Sequence, residues 1–322
     1  MLYKADTEAF REQWTGHIRQ LQDAICSALE KEDGTGKFLS DAWQRGDDGG
    51  GGVTRIMENG TVFEKGGVNH SVVYGELTEK MQSVLKIPGS HAGGSWFAAG
   101  LSLVIHPLNP YVPTVHANWR YFELYGPGGV LADRWFGGGS DLTPCYLVEE
   151  DVRHFHTVLK KATDAFGEGW YDRFKKGCDE YFTNSHRNHE MRGVGGIFYD
   201  HLRPASPGEA RQLMDFQVAG GNAFLEAYLP IVGRQKGRSY SDREVRWQEL
   251  RRGRYVEFNL IHDRGTLFGL RSGGRTESIL MSLPPRARWQ YDDCPAGGTE
   301  EYRLWQACLH PQDWIHPIIQ KT

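Results

Sequence analysis

A β-hairpin signal in the first quarter of the chain is the feature that most constrains the fold. Residues 53–57 and 61–64 have the composition of strands, and Asn59 and Gly60 between them suit a tight turn with positive φ. Two strands joined in this way are antiparallel. The preceding run at 47–52, two aspartates and four glycines, is predicted to be a loop because glycine loses much entropy inside a regular element.

Further strands are predicted on both sides of a helical middle section. They are expected at 97–106, 116–124, 134–137, 255–261, 266–270 and 276–283. Amphipathic helices are expected at 7–31, about 76–86, 149–166, 168–187 and 209–230, and from the capping box of Ser241 and Glu244. This order predicts an α+β fold, a large antiparallel sheet covered by helices. No linker or repeat divides the chain, so one domain is predicted over residues 1–322.

The composition excludes several classes of protein. The chain has 322 residues and a formal net charge of −4, so it has no general positive field for nucleic acid. Its longest apolar stretch, around 97–105, is about half of the ~18–20 residues of a membrane-spanning helix, so no transmembrane segment is expected. No secretory or transit-type segment opens the chain, and a cytoplasmic location is expected.

The five cysteines are widely scattered and never spaced as C-x-x-C. This pattern disfavours a disulfide framework, a zinc ribbon and an iron–sulfur site, and it indicates reduced thiols in a cytosol-like compartment. Phosphate-binding loops are also missing from the sequence. No G-x-x-x-x-G-K-[ST] occurs, and Leu131 stands where a dinucleotide fingerprint starting at Gly126 needs glycine.

The predicted strand HANWRYF at 116–122 is the most informative segment for function. Side chains of one parity share a face of a strand, so His116, Asn118 and Arg120 point one way and Trp119 the other. An imidazole, an amide and a guanidinium in a row favour a site for an anionic or hydrogen-bond-rich ligand. A solvated face of the sheet is the alternative.

Two glycine-rich segments favour the same kind of ligand. In WFGGGSDLTP at 135–144, three glycines allow a flat ligand to approach the backbone. Asp141 there either accepts hydrogen bonds from ligand N–H groups or caps the turn toward Thr143. In RSGGRTES at 271–278, backbone N–H groups and two arginines form either a carboxylate receptor or a solvated surface turn.

The 13 histidines give only a weak metal signal. His154 and His156 lie two apart on a predicted helix and diverge, whereas His186 and His189 lie three apart and can converge. The sequence has no H-E-x-x-H and no facial-triad spacing. Each histidine alone is more typical of a surface or hydrogen-bonded residue than of a metal ligand.

Several long segments, in the same order along the chain, resemble the oxygen-dependent coproporphyrinogen III oxidases. They are NPYVPTVHANWRYF at 109–122, WFGGGSDLTP at 135–144, RGVGGIF at 192–198, GRYVEFNL at 253–260, DRGT at 263–266 and GGRTES at 273–278. The resemblance extends from about Trp43 to Trp289 and is far more specific than any single glycine pattern.

This resemblance implies a reaction and an assembly. The reaction is the oxidative decarboxylation of the propionates on rings A and B of coproporphyrinogen III to vinyl groups. O₂ is the oxidant, and CO₂, hydrogen peroxide and protoporphyrinogen IX are the products. The implied fold is a flat antiparallel sheet with helices on both faces, in a homodimer whose contacts lie largely between Tyr255 and Trp289. No organic cofactor is expected, because the electron-rich porphyrinogen itself reacts with oxygen.

The resemblance also implies roles for individual residues. His116 matches the proton donor, Asp141 the carboxylate that holds the central pyrrole N–H groups, and Arg120 a guanidinium near the reacting propionate. The substrate-contact positions match Ser102, Asn118, Trp119, Arg120, Gly273, Gly274 and Arg275. Some relatives carry a divalent metal, such as manganese, on the histidines that match His106, His116, His156 and His186. In that alternative His116 is not a free proton donor.

Three positions depart from the family pattern, and two other functions stay open. Gly177 stands in place of a tryptophan, His189 is an additional residue and His201 replaces an aspartate. A non-catalytic porphyrin-binding protein would keep the basic, glycine-lined cleft without requiring His116 or Asp141. A histidine-based metallohydrolase or oxygenase would lose its activity on chelation.

Overall fold

Strands form one large sheet in the computed structural model, which describes residues 4–46, 49–79, 82–83, 93–271 and 274–316. They are β1 Leu39–Gln44, β2 Gly50–Glu58, β3 Phe63–Glu76, β4 Ser95–Pro107, β5 Thr114–Tyr125, β6 Leu131–Thr143, β7 Thr183–Asn184, β8 Glu190–Met191 and β9 Gly195–Leu202. Within the described residues the order across the sheet is β1-β2-β3-β4-β5-β6-β9, with all neighbours antiparallel. The short strands β7 and β8 form a separate ribbon.

Helices pack on both faces of this sheet, so the predicted α+β fold is confirmed. They are α1 Lys4–Asp33, α2 Glu149–Asp164, α3 Trp170–Tyr181, α4 Pro207–Gln235, α5 Asp242–Glu257, α6 Arg264–Arg271, α7 Thr276–Leu280 and α8 Glu300–Leu309. A π-helix, Phe258–His262, directly continues α5. None of the described helices combines the length and the apolar character needed to cross a membrane.

One face of the sheet, called the packed face, lies under α1 and α4. Trp14 of α1 is fully buried and donates its indole N–H to the Ala99 carbonyl oxygen at 3.0 Å. Trp119 of β5 contacts Phe224 of α4 edge to face, with ring centroids 6.2 Å apart. Burying an apolar side chain of this kind contributes about 1.5–3 kcal/mol, so this face holds much of the core.

The opposite face, called the cleft face, is covered only in part. The Tyr255 ring of α5 packs edge to face on His106, with centroids 5.3 Å apart. Ser278 of α7 lies 2.8 Å from Thr54 of β2, measured between the hydroxyl oxygens. These contacts fix the C-terminal helices over one part of the sheet and leave the Arg120 side chain exposed.

The N-terminal hairpin is confirmed, but its first strand begins earlier than predicted. Asn59 has φ of +57°, and the Gly60 N–H donates to the Phe63 carbonyl oxygen at 3.0 Å. The loop prediction at 47–52 is wrong for its last three glycines, which belong to β2, while residues 47–48 lie outside the described residues. A Cβ on Gly52 would lie 2.3 Å from the His70 carbonyl oxygen of β3 and 2.6 Å from the Trp43 ring of β1, so only glycine fits beside these two groups.

The predicted C-terminal strands at 255–261, 266–270 and 276–283 are wrong. These residues form the end of α5, the π-helix, α6 and α7. The reason is visible in the burial of this segment: nearly every residue from Trp247 to Asn259 is buried, so the helix is enclosed on almost all sides. Tertiary packing around the helix overrides the local β propensity of the aromatic and branched residues.

The remaining helices and strands agree with the sequence in position but differ in extent. The helices predicted at 7–31, 149–166 and 209–230 and the strands predicted at 97–106 and 116–124 are confirmed within a few residues. The helix predicted at 168–187 ends at Tyr181, and β7 and a short 3₁₀ turn follow. The helix predicted at 76–86 lies largely outside the described residues, because 80–81 and 84–92 are not among them.

Two sheet strands are missing from the sequence prediction. The edge strand β1 is largely exposed, so its residues lack the apolar alternation that marks a half-buried strand. The strand β9 begins with Gly195 and Gly196, both at positive φ, and glycines of this kind read as a loop in a sequence.

Candidate active site

Polar residues from neighbouring strands meet on the cleft face. The register opposes His116 to Asp141, Asn118 to Gly139 and Arg120 to Gly137 across β5 and β6. Ser102 of β4 lies opposite Asn118. Since directly opposed residues of an antiparallel pair point to the same face, the predicted grouping of His116, Asn118, Arg120 and Asp141 is confirmed as geometry.

Asp141 is the centre of a buried hydrogen-bonded cluster. Its side chain is about 2 % exposed, and Oδ1 lies 2.7 Å from His116 Nδ1. Arg192 donates to the same carboxylate through Nη2, at 2.9 and 3.0 Å from the two oxygens, and through Nε at 3.2 Å. Both carboxylate oxygens are therefore occupied by donors from the protein.

The charge state of this cluster follows from its contacts. Burial opposes ionisation of Asp141, but the Arg192 guanidinium and the hydrogen bond from His116 outweigh it and hold the pKa of that carboxyl below its ordinary value. Burial likewise disfavours the charge on Arg192, yet Asp141 keeps the pKa of Arg192 above its ordinary value. The two groups thus form a buried ion pair.

The hydrogen bonds also define the tautomer of His116. The Asn118 amide nitrogen can only donate, and it lies 3.1 Å from His116 Nε2, so Nε2 accepts and Nδ1 carries the proton that is donated to Asp141. His116 is half-buried in this arrangement. Among the described residues, no group pairs with the buried Oδ1 of Asn118. This oxygen is an unsatisfied acceptor, and a ligand N–H reaches it only if the neighbouring atoms move.

Arg120 lies four residues along β5 from His116, about 13 Å at the usual rise of a strand. Its side chain is exposed, and no carboxylate of the described residues lies within ion-pair distance of it. Its Nη2 lies 3.5 Å from the place where a Cβ of Gly137 would be, and Asp200 Oδ1 lies 2.9 Å from the same place. Glycine at this position therefore keeps the floor between Arg120 and Asp200 open.

The floor of the cleft face is lined by small residues. One row across the sheet contains Ser71, Gly100, Arg120 and Gly137, and in the next row Ser102 and Gly139 flank Asn118. A flat ligand can lie against such a floor because few side chains rise from it. The predicted close approach of a flat ligand to the backbone at 137–139 fits this arrangement.

Arg275 lies at the far side of the same face. It forms an ion pair with Asp41 of β1, and Asp41 shares its row across the sheet with Asn118. Four strand spacings of about 4.8 Å put these two positions roughly 19 Å apart. Gly274 is half-buried beside Arg275, whereas Gly273 lies outside the described residues.

Trp119 differs from the other predicted substrate contacts. Its side chain points to the packed face, where it is buried against Phe224, as the alternation of the strand requires. Only its main chain can face a ligand in the cleft.

The four histidines of the alternative metal site have separate partners. His106 lies 2.9 Å from the Ser282 carbonyl oxygen, and His186 lies 2.8 Å from His262 and 3.0 Å from Glu257. His156 is buried between the Tyr171 hydroxyl and the Val194 carbonyl oxygen, and burial lowers its pKa to about 3. Within the described ranges, no three His, Cys, Asp or Glu side chains are grouped to hold a metal ion, so the quartet does not fit a metal here.

Arg192 is absent from the site residues predicted from the sequence. It follows β8, fifty-one residues from Asp141, and only folding brings the two together. The signal in the sequence that could have identified Arg192 is its position directly before the glycines of RGVGGIF, where a charged residue is not needed to begin a strand. Asp200 and Asn259, the neighbours of Arg120 and Arg192, are absent from the prediction for the same reason.

Comparisons with known proteins show the family of this chain. The family model described as coproporphyrinogen III oxidase matches residues 13–314. The chain is 50% identical over 304 residues to the oxygen-dependent coproporphyrinogen-III oxidase, chloroplastic, of Glycine max, covering 92% of this chain and 78% of the relative. It is 47% identical over 317 residues to the coproporphyrinogen-III oxidase 1, chloroplastic, of Arabidopsis thaliana, covering 97% and 81%. The chain belongs to the coproporphyrinogen III oxidase family.

Proposed function

We propose that this protein catalyses the oxygen-dependent oxidative decarboxylation of the ring A and B propionates of coproporphyrinogen III in haem biosynthesis. The observation that carries the proposal is the cleft face itself. A glycine-lined floor holds an arginine without a described acidic partner at one point and a buried acid–imidazole pair about 13 Å away. A flat, tetracarboxylate substrate needs both features.

The reaction balances without an added redox cofactor. Each propionate loses CO₂ and one β-hydrogen and becomes a vinyl group, a change that releases two electrons and one proton. O₂ takes up the two electrons and two protons and leaves as hydrogen peroxide. Each decarboxylation therefore consumes one proton from the surroundings, and two of them convert coproporphyrinogen III to protoporphyrinogen IX.

The residues of the cleft face divide this work. Arg120 binds the carboxylate of the propionate, because a guanidinium forms two parallel hydrogen bonds with it. Asn118 Oδ1 accepts a pyrrole N–H, and a second pyrrole N–H replaces the Asn118 amide at His116 Nε2 when the substrate binds. Nε2 accepts that proton as O₂ attacks and returns it to the ring nitrogen, while the peroxide leaves with the β-hydrogen as a proton and one proton from the surroundings. Asp141 stabilises the imidazolium that forms meanwhile. Ser102 continues the floor, and Gly274 and Arg275 supply the far carboxylate contact. A contact from Gly273 stays a prediction, because this residue lies outside the described residues.

Direct contact between Asp141 and the pyrrole N–H groups, as the resemblance implies, stays a prediction. Both oxygens of Asp141 already accept hydrogen bonds from Arg192 and His116. A pyrrole N–H reaches this carboxylate only by replacing one of these donors. The contacts therefore favour an action of Asp141 through His116.

Aerobic turnover of the pure protein tests the proposal. Coproporphyrinogen III is incubated with enzyme in air, without O₂, and in air after chelator treatment, while vinyl products, CO₂ and peroxide are measured. We expect two CO₂ and two peroxides per substrate in air, none without O₂, and full turnover after chelation, since no metal is proposed. Binding without turnover would instead identify a porphyrin carrier, and loss on chelation a metal-dependent enzyme.

We propose a homodimer whose contacts lie between Tyr255 and Trp289. In this segment Leu260, Ile261 and Trp289 are large, exposed apolar side chains, which is the composition of an interface. Light scattering after size exclusion tests this: Ile261→Asp is expected to give monomers and Val130→Asp, at another exposed apolar residue, to leave dimers. A wild-type monomer would refute the proposal.

Three further predictions concern the chain as a whole. A single domain over residues 1–322 predicts one cooperative unfolding transition.

A cytoplasmic location predicts recovery in the cytoplasmic fraction of the source cells, although the relatives named above are chloroplastic. No nucleic-acid partner is expected at the net charge of −4, so the protein should not shift DNA or RNA in a gel.

A further inference from the structure

Arg192 is the most completely enclosed charged side chain at the site. Its side chain is about 1 % exposed, and its guanidinium makes hydrogen bonds on two sides. Nη2 and Nε face the Asp141 carboxylate, and Nη1 donates to Asn259 Oδ1 of the π-helix at 3.1 Å. These hydrogen bonds restrict the Arg192 side chain to one conformation, because any rotation breaks several of them at once.

Aromatic rings enclose the guanidinium from the remaining sides. Its central carbon lies 4.0 Å from the centroid of Phe182, 4.7 Å from that of Tyr255 and 5.0 Å from that of Phe258. The Arg192 backbone N–H also donates to the Phe182 carbonyl oxygen at 2.9 Å. The end of α3, the end of α5 and the π-helix thus converge on this one side chain.

Asp141 depends on this enclosure for its own position. Without Arg192, the buried Asp141 carboxylate would lose the guanidinium that compensates its charge and most of its hydrogen-bond donors. It would turn toward water or take up a proton, and either change would release the Nδ1–H of His116. The Arg192 contact is what makes the Asp141–His116 hydrogen bond the stable arrangement.

We propose that Arg192 is a positioning residue for the oxidase reaction. It fixes Asp141 so that Oδ1 receives the Nδ1–H of His116. This bond holds the lone pair of His116 Nε2, which accepts from Asn118 in the free protein, in place for a substrate on the cleft face. Arg192 itself is too deeply enclosed to touch that substrate. This inference rests on the function proposed above.

Kinetics of Arg192→Met and Arg192→Lys provide the main test. We expect Arg192→Met to lower kcat by about 100-fold with KM within twofold, since misplacing a catalytic group costs about that much. Arg192→Lys should recover part of kcat, because it keeps the charge but not the fork. Arg192→Met combined with Asp141→Asn should lose no more than the worse single variant, since the residues act as one unit.

Arg251→Met is the matched control. Arg251 is similarly buried but is ion-paired with Glu190 and donates to the Cys308 sulfur, so it has no contact with Asp141. Its loss should lower the free energy of unfolding and leave kcat within twofold. A similar fall of kcat in Arg251→Met and Arg192→Met, or an unchanged kcat in folded Arg192→Met, would overturn the proposal.

Asn259→Leu tests the same idea if Arg192→Met does not fold. This variant removes one acceptor from Arg192 and leaves every charge in place, so a fall of kcat by several-fold at constant KM is expected. The His116 tautomer is read from ¹⁵N–¹H spectra of histidine-labelled protein, with His116→Gln to assign its signals. Unchanged kcat together with an unchanged tautomer in Asn259→Leu would refute the proposal. The tautomer readout needs no turnover, so it still tests Arg192 if the oxidase activity itself proves absent.

Discussion

Glu123 and Asp141 are both fully buried carboxylates on neighbouring strands, but they face opposite sides of the sheet. On the packed face, Glu123 accepts hydrogen bonds from Arg11 and from the hydroxyl groups of Tyr121 and Tyr125, at 2.6 to 2.8 Å. Burial and the adjacent Glu123 raise the pKa of both tyrosines, so none of its partners exchanges a proton near neutral pH.

Asp141, on the cleft face, is paired with an arginine in the same manner but has an imidazole as its other partner. That imidazole keeps a second nitrogen directed away from the acid. The comparison shows that a buried arginine–carboxylate pair is by itself a structural device. It becomes chemically useful when its remaining neighbour can exchange a proton with the solvent or a ligand.

The sharpest test of this comparison is to remove each acid in turn. Asp141→Asn is expected to lower kcat by about 10³–10⁴-fold, because the amide no longer fixes the His116 tautomer or stabilises its charged form. Glu123→Gln is expected to lower the free energy of unfolding by about 2 kcal/mol and to leave kcat within twofold. Steady-state kinetics and urea unfolding measure the two effects, and comparable losses of kcat in both variants would contradict the distinction drawn here.

Arg120 differs from Arg192 and Arg11 in having no described acidic partner, so its removal should affect substrate rather than stability. Arg120→Ala is expected to lower kcat/KM by about 100-fold, from the loss of a bidentate contact with a propionate. The melting temperature should not change. Arg153→Ala, at an exposed arginine of α2, serves as the control and should behave as wild type. An Arg120→Ala enzyme with normal kcat/KM would show that the propionate binds elsewhere.

A smaller effect is expected from closing the floor of the cleft face. Gly137→Ala places a methyl group 2.9 Å from Asp200 Oδ1, and we expect KM to rise about tenfold as the floor becomes uneven. Gly233→Ala in α4 has no atom within 4 Å of the added methyl group. It should leave KM unchanged and stabilise the protein by about 0.5–1 kcal/mol. Substrate titrations and thermal melts measure both, and equal KM values would argue against a ligand on this floor.

The smallest effect concerns a third carboxylate, Glu257, which lies outside both clusters. Burial opposes its ionisation, but Arg187 and His186 outweigh it and lower its pKa from 4.5 to about 2. Its stabilising effect is therefore present above pH 4.5 and is lost as the pH falls toward 2. Glu257→Gln should lower the free energy of unfolding by about 1 kcal/mol at neutral pH after solvent screening. It should also weaken the fall of the free energy of unfolding between pH 4.5 and 2. If the free energy of unfolding falls equally with pH in wild type and Glu257→Gln, this carboxylate does not cause the loss of stability in acid.

Local patterns in the sequence identify the features that depend on neighbours along the chain. The turn at Asn59 and Gly60 and the alternation from His116 to Arg120 are of this kind, and both are confirmed. The alternation is sufficient to place the imidazole, the amide and the guanidinium on one face.

Features that depend on contacts across the fold are not visible in this way. Residues 255–261 have the aromatic and branched side chains of a strand, yet Tyr255 and Asn259 are buried one helical turn apart around Arg192. The partner of Asp141 lies fifty-one residues away in a segment whose glycines give no hint of a buried charge. Sequence alone therefore indicates the residues that face the cleft but not the residues that hold them in position.

The pleat of β5 alternates its three polar cleft residues, His116, Asn118 and Arg120, with the core residues Ala117 and Trp119. Inserting or deleting one residue before Thr114 would exchange these two sets, burying a guanidinium under α4 and turning an indole into the cleft. This strand should therefore tolerate single substitutions far better than the insertion or deletion of one residue. A substitution changes one side chain, whereas a change of length moves every side chain of the strand to the opposite face.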